Sequence, residues 1–259
     1  MNLGLEDKVA LVCGASRGLG RAVASELAAE GATVAICARD PERLGAAAAE
    51  LGPDTLAVPA DLSVAGEPTR VVEETVARLG RLDVLVANTG GPPAGSHDTL
   101  TLADWDAATA LLLRSTVELT GAALPGMKER GWGRVLIVTS VAVKQPVDNL
   151  ILSNSLRAAV TGYAKTLSRE VATRGITVNT ILPGYTATER VTDLNRANAE
   201  REGVEPEEIQ ARLEASIAMG RLAEPEEFAA LAAFLASERA SYITGAAFAV
   251  DGGWLRGLL

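Results

Sequence analysis

The chain has 259 residues, 48% of them apolar and 22% charged, a balance close to that of soluble globular proteins and long enough for one large buried core. Its 24 basic and 33 acidic residues leave a net charge of −9, which excludes a sequence-independent DNA or RNA binder, because phosphates demand a field of Lys and Arg. A single histidine, His97, excludes zinc sites built on several His and histidine relays, so no metal site is expected. Cys13 and Cys37 both fall in short apolar runs, which reads as buried thiols in a reduced compartment and not as a disulfide framework. No apolar run reaches the about 20 residues of a bilayer span, and the first residues lack a basic start and an apolar stretch. The expectation is a cytoplasmic protein with no membrane partner.

Short apolar runs at 9–13, 33–38, 55–58, 84–87, 134–139, 177–182 and 247–250 read as strands. Each is apolar almost throughout, as happens when both faces of a sheet are covered. Between them lie helical stretches at 19–30, 41–51, 67–79, 102–130, 150–174 and 225–237. Such alternation predicts an α/β fold: a single-domain Rossmann-type, doubly wound parallel sheet over residues 1–259, with helices on both faces. The stretch 189–219 breaks the rhythm, being charged and helical with an amphipathic run at Ile209, Leu213 and Ile217. It reads as a surface excursion or as a lid over a site, since insertions at the carboxyl ends of strands often cover active sites.

The strongest local motif follows the first strand: Gly14-Ala15-Ser16-Arg17-Gly18-Leu19-Gly20. Glycines at such spacing permit a tight turn, and the helix that follows presents free N–H groups to a phosphate. The spacing is G-x3-G-x-G, not the general G-x-G-x-x-G.

With five further landmarks the chain resembles the short-chain dehydrogenase/reductase family along almost its whole length. Asp61-Leu62 follows the third strand, where that family contacts adenine. Asn88-Thr89-Gly90 matches its N-A-G element, with Thr in the Ala position. Pro183-Gly184-Tyr185-Thr186-Ala187-Thr188 matches its P-G loop beside the nicotinamide. Gly220 to Glu227 and Thr244 to Gly253 match its C-terminal landmarks. The pattern is most similar to the 3-oxoacyl-carrier-protein reductase branch. The resemblance implies a dinucleotide held by Gly14, Ser16, Arg17, Gly18, Leu19, Gly20, Arg39, Asp61, Leu62, Asn88, Gly90, Arg157, Pro183, Gly184, Thr186 and Thr188. It also implies a homodimer or homotetramer.

An acid at the end of the second strand favours NAD, whereas a 2′-phosphate wants Arg. Here that strand ends in Ala38-Arg39 with no acid until Asp40, and Arg17 lies in the glycine loop. Two guanidinium forks converging on one phosphate would favour NADP over NAD. Both arginines are also compatible with solvated surface charges.

The family's chemistry uses a Ser that holds the carbonyl oxygen, a Tyr that protonates it, a Lys four residues on, and an Asn on the middle helix. Ser140 matches the serine. Thirteen residues on stands Ser153, and four further Arg157, while Leu112 occupies the Asn position. Ala158 through Leu167 fits the family's helix without a gap, which fixes the register. A serine hydroxyl is a far weaker acid than a phenol of pKa about 10, so Ser153 donates a proton poorly. Arg157 stays charged and can bond ribose hydroxyls, and Leu112 cannot order a relay water. Tyr185 is the first candidate for a replacement donor, followed by Lys144. Tyr163, Lys165 and His97 read as packing or surface residues, and Trp105, Trp132 and Trp254 as packing or interface residues. Two functions fit. One is an atypical NADP(H)-dependent oxidoreductase acting on a small-molecule carbonyl/alcohol pair through Ser140, Ser153, Arg157 and Tyr185. The other is a non-catalytic dinucleotide-binding protein with a sensing or assembly role.

Overall fold

In the computed structural model, which describes residues 2–258, strand and helix alternate from the start. The first half runs β1 (Val9–Cys13), α1 (Gly18–Ala29), β2 (Thr33–Ala38), α2 (Pro41–Leu51), β3 (Leu56–Pro59), α3 (Glu67–Leu79) and β4 (Val84–Ala87). The second runs α4 (Leu102–Thr109), α5 (Ser115–Arg130), β5 (Gly133–Val138), α6 (Ile151–Val171), β6 (Ile176–Pro183), α7 (Glu189–Glu202), α8 (Pro206–Ser216), α9 (Pro225–Ala236) and β7 (Ala247–Val250). The strands form one sheet in the order β3-β2-β1-β4-β5-β6-β7, and each neighbouring pair is parallel. This is the doubly wound α/β architecture that the sequence predicts, in one domain.

Successive strand residues feed opposite faces, as the pleat requires. Ala10, Val12, Val84 and Val86 pack with Leu27 of α1, Leu44 of α2 and Phe228 of α9. Their neighbours Leu11, Cys13, Leu85 and Ala87 pack with Val71 of α3, Leu119 of α5 and Val160 of α6. With so few aromatics, volume comes from Leu, Val and Ile, and Ala lets helices approach the sheet closely. Cys13 and Cys37 are register partners on β1 and β2, both reduced and buried.

The structure corrects three details. The stretch 102–130 is not one regular helix: a π-helical turn at Ala110–Arg114 separates α4 from α5. Widening that turn frees carbonyls, and hydroxyls one turn on take them up: Ser115 Oγ bonds the Leu111 carbonyl and Thr116 Oγ1 bonds that of Leu112 at 2.7 Å. The excursion at 189–219 is two helices, α7 and α8, and Ile217 lies just past α8 in extended backbone. It is nevertheless buried, because a side-chain carbon of Ile217 sits 2.8 Å from where a Cβ on Gly252 would be. The third and fifth strands each lie one residue away from their predicted places, as fraying ends do.

Candidate active site

The chain fills the sheet outward from β1 in one direction and from β4 in the other, so a crevice opens between their carboxyl ends. Gly14 and Gly18 adopt φ of +62° and +55°, which only glycine takes without strain. A Cβ on Gly20 would lie 2.3 Å from the Gly14 carbonyl oxygen, and one on Gly14 would lie 2.8 Å from Asn88 Nδ2. Asn88 is positioned by the end of β4 and donates to the Cys13 carbonyl at 3.2 Å, tying the two strands together at the crevice. Arg17 precedes α1 without capping it by its side chain, which leaves amide groups of the first turn to face the crevice. Backbone, uncapped helix end and half-buried Ser16 and Leu19 therefore form a cradle able to hold a phosphate.

Beyond the cradle the predicted residues divide. Arg39 is exposed at the end of β2. Burial pushes the Asp61 carboxyl up, but bonds from the Ser63 hydroxyl and amide, with the Arg39 charge, hold it below its usual range. Leu62 is buried beneath, and Gly90 is exposed in the loop after β4. Arg17 does not turn to Arg39: its guanidinium pairs with Glu189 at the start of α7. Arg190, next along, donates to the Pro92 carbonyl at 3.0 Å. Two consecutive α7 residues thus span from the excursion to the rims of β1 and β4. Sequence reasoning missed both, and their only signal was a charged pair directly after the P-G loop.

On the other side Gly184 donates to the Val250 carbonyl at 2.9 Å, and a Cβ there would lie 2.7 Å from Asp251 Cα. The half-buried Pro183 ends β6. Thr186 bridges to Ala223 and is 2% exposed, yet its Oγ1 has no hydrogen-bond partner among the described residues. Such an orphan calls for a partner from outside the chain. Thr188 Oγ1 donates to the Thr186 carbonyl at 3.2 Å, and Thr188 packs over the place a Gly18 side chain would take.

Ser140 follows β5, and its Oγ accepts from the Ala142 amide at 3.1 Å. Ser153 and Arg157 are both 9% exposed on α6. Arg157 Nε donates to Ser153 Oγ at 3.2 Å and Nη1 to the Val138 carbonyl at 3.0 Å. Burial, aided by the Arg190 charge, pulls the Arg157 guanidinium down to about 10. Leu112 lies in the π-helical turn and is buried with Ala108, Leu152 and Leu156. Tyr185 stacks edge-on against Trp254, with ring centres 5.5 Å apart. Burial, with the Asp148 charge, raises its phenol above the ordinary value, so it is a weaker acid than a free tyrosine. Tyr163 instead bonds Thr120 on α5 at 2.6 Å, and Lys165 donates to the Gly245 carbonyl at 2.8 Å. Both serve packing. Lys144 and His97 are exposed. No cluster of metal-binding side chains occurs among the described residues.

Comparison with known proteins agrees with this geometry. The family model described as Enoyl-(Acyl carrier protein) reductase matches residues 14–255. The chain is 32% identical to a 3-oxoacyl-[acyl-carrier-protein] reductase of Aquifex aeolicus, covering 98% of this chain and 99% of that one. It is 34% identical to the short-chain reductase protein NovJ of Streptomyces niveus, over 96% and 94% of the two. The L-sorbose reductase of Gluconobacter frateurii, solved with NADPH and L-sorbose, superposes with a TM-score of 0.94 at 33% identity over all of both chains. Fold, glycine cradle and relatives agree: the chain belongs to the short-chain dehydrogenase/reductase family.

Proposed function

We propose that this protein is an NADP(H)-dependent oxidoreductase that interconverts a carbonyl and an alcohol in a small molecule, with an atypical proton-donating site and NAD as the poorer coenzyme. The observation that carries the reading is the crevice itself: a side-chain-free cradle at Gly14 and Gly20 and, opposite, the orphaned Thr186 hydroxyl. Gly14, Ser16, Gly18, Leu19 and Gly20 hold the coenzyme's phosphates, and Arg17 and Arg39 the 2′-phosphate. Asp61 and Leu62 hold the adenine, and Asn88, Gly90, Arg157, Pro183, Gly184, Thr186 and Thr188 the nicotinamide half. NADPH in the solved L-sorbose reductase supports the choice.

Once bound, the coenzyme supplies or accepts the hydride. Ser140 Oγ already accepts from an amide and Ser153 Oγ from Arg157, which leaves both O–H groups to donate to a carbonyl oxygen. The Arg157 charge favours negative charge on that oxygen. Tyr185, its phenol weakened as an acid, is the less suited donor. Helices α7 and α8 act as a lid, through Glu189 and Arg190. The protein works in the cytoplasm as a homodimer or homotetramer. Among the described residues no helix is long and apolar enough to cross a membrane.

One observation favours the second reading, a dinucleotide-binding protein without turnover: Leu112 fills the relay position with an apolar cluster. Calorimetric titration with NADPH and NADH, followed by coenzyme oxidation over a panel of carbonyl compounds, tests both. Preferential NADPH binding with steady oxidation supports the enzyme. Binding with no turnover across the panel supports the sensor, and no binding overturns both.

A further inference from the structure

Two guanidinium groups at the crevice lack a carboxylate partner. Arg157 donates only to neutral oxygens, Ser153 Oγ and the Val138 carbonyl. Its Nη2 has no hydrogen-bond acceptor among the described residues. Arg190 donates from Nη2 to the Pro92 carbonyl at 3.0 Å and rests on Gly91, where a Cβ would come within 2.9 Å of that nitrogen. The Asp193 charge, one turn along α7, favours the Arg190 guanidinium, but burial outweighs it, and the Asp193 carboxylate pairs with Arg196 at 3.3 Å. The Asp148 charge acts on Tyr185. Arg157 is tied to the carboxyl end of β5 at Val138 and Arg190 to the loop after the neighbouring β4 at Pro92, and two such cations at one rim are unfavourable unless an anion completes the site. The coenzyme's phosphates have their own place at the cradle, Arg17 and Arg39.

The geometry points to a substrate that brings the missing charge: a small oxo acid whose carboxylate is held by Arg157 Nη2 and the Arg190 guanidinium. This rests on the carbonyl-reduction reading above. The carboxylate matches the fork of donors that a guanidinium presents. With the carboxylate fixed there, the adjacent carbonyl oxygen falls to Ser140 and Ser153. Arg190 belongs to α7, so an anion at this place also draws the lid helix toward the loop after β4. Neutral ketones of the same size gain nothing from either arginine.

The test uses oxamate, an unreactive mimic of an oxo acid, and its uncharged relative oxamide. Each is titrated calorimetrically into the full-length protein, free and saturated with NADPH, and NADPH alone is titrated in a separate arm. Oxamate should bind the NADPH-loaded protein at least about tenfold more tightly than oxamide. Arg190→Gln should remove most of that preference while leaving NADPH affinity within about twofold. Arg157→Gln should remove the preference as well, and, as Arg157 is also assigned to the nicotinamide half, it should weaken NADPH binding; Arg157→Lys should restore part of both. Equal binding of oxamate and oxamide overturns the inference. So does an Arg190→Gln variant that loses NADPH affinity and keeps the preference, since the arginine then serves a coenzyme phosphate. Absence of NADPH binding sinks the coenzyme reading only, because oxamate selectivity on the free protein still decides the anion site.

Discussion

Arg157 and Ser153 lie one helical turn apart on α6, and the guanidinium Nε donates to the hydroxyl at 3.2 Å. A Tyr and a Lys at these two positions would restore a phenol beside an ammonium. The double change Ser153→Tyr with Arg157→Lys should therefore raise NADPH-dependent reduction of simple ketones or 3-oxoacyl thioesters by about 10²–10⁴-fold. Neither single change should suffice, since the phenol needs the ammonium to lower its pKa and the ammonium alone has no phenol to act on. Coenzyme oxidation by wild type, both single variants and the double variant checks this. Fast wild-type turnover that survives Ser153→Ala and Arg157→Ala would show that other residues run the chemistry.

The Arg17–Glu189 pair occupies one of the two guanidinium groups assigned to the 2′-phosphate. On the proposed function, the coenzyme would compete with α7 for it. Glu189→Gln should tighten NADPH binding by up to about fivefold, the worth of an exposed ion pair, with little effect on NADH. Arg17→Ala or Arg39→Ala should weaken NADPH about tenfold or more and spare NADH. Titrations of all three variants with both coenzymes measure it; identical NADPH affinities in wild type and Glu189→Gln would remove the competition.

Gly20 and Gly162 make a controlled pair. A Cβ at Gly20 meets the Gly14 carbonyl oxygen at 2.3 Å, whereas nothing lies within 4 Å of one at Gly162, in the middle of α6. Gly20→Ala should cost about 1–3 kcal/mol by overpacking and abolish tight coenzyme binding. Gly162→Ala should gain roughly 0.5–1 kcal/mol from helix propensity. Thermal melts of the two variants should move in opposite directions.

Glu227 caps α9 from within, accepting from Arg221 at 2.7 Å and from the Glu224 amide at 2.8 Å. These bonds, that to Arg221 first, hold its carboxyl down to about 2, against 4.5 for a free glutamate. A depressed acid contributes stability that is complete above the free value and lost as pH falls through the folded one. Glu227→Gln keeps the capping shape and drops the charge. It should lower the melting temperature at pH 7, and the gap from wild type should close as the pH falls from about 4.5 toward 2. A gap independent of pH would mean that shape alone matters.

Strands and most helices were legible because each strand is a short, largely apolar run followed within two residues by Gly, Pro or a polar side chain. The glycine cradle and the P-G loop were legible for the same reason: the conformations they need restrict the residue types. The π-helical turn was not, since Ala110-Leu111-Leu112-Leu113-Arg114 contains no breaker and its hydroxyl support lies in the next turn. Ile217 was misplaced because burial against Gly252 comes from the far end of the chain. Glu189 and Arg190 read as solvated charges, and only the folding of α7 over the crevice turns them toward β1 and β4. Side-chain pairings across such distances leave no local pattern.

The neighbouring thiols of Cys13 and Cys37 make the strand ends beneath the cradle observable. A hydrogen bond with Cys37, together with burial, pushes the Cys13 thiol well up, so almost no thiolate is present at neutral pH and no reagent reaches it in the closed fold. Alkylation then requires the helices that cover this face, α3 and α5, to lift from the sheet just below Gly14, and its rate is a clock for that opening. A ligand that clamps the loop above slows the clock in proportion to its occupancy, so the chain carries its own label for following what binds there, without any added chromophore.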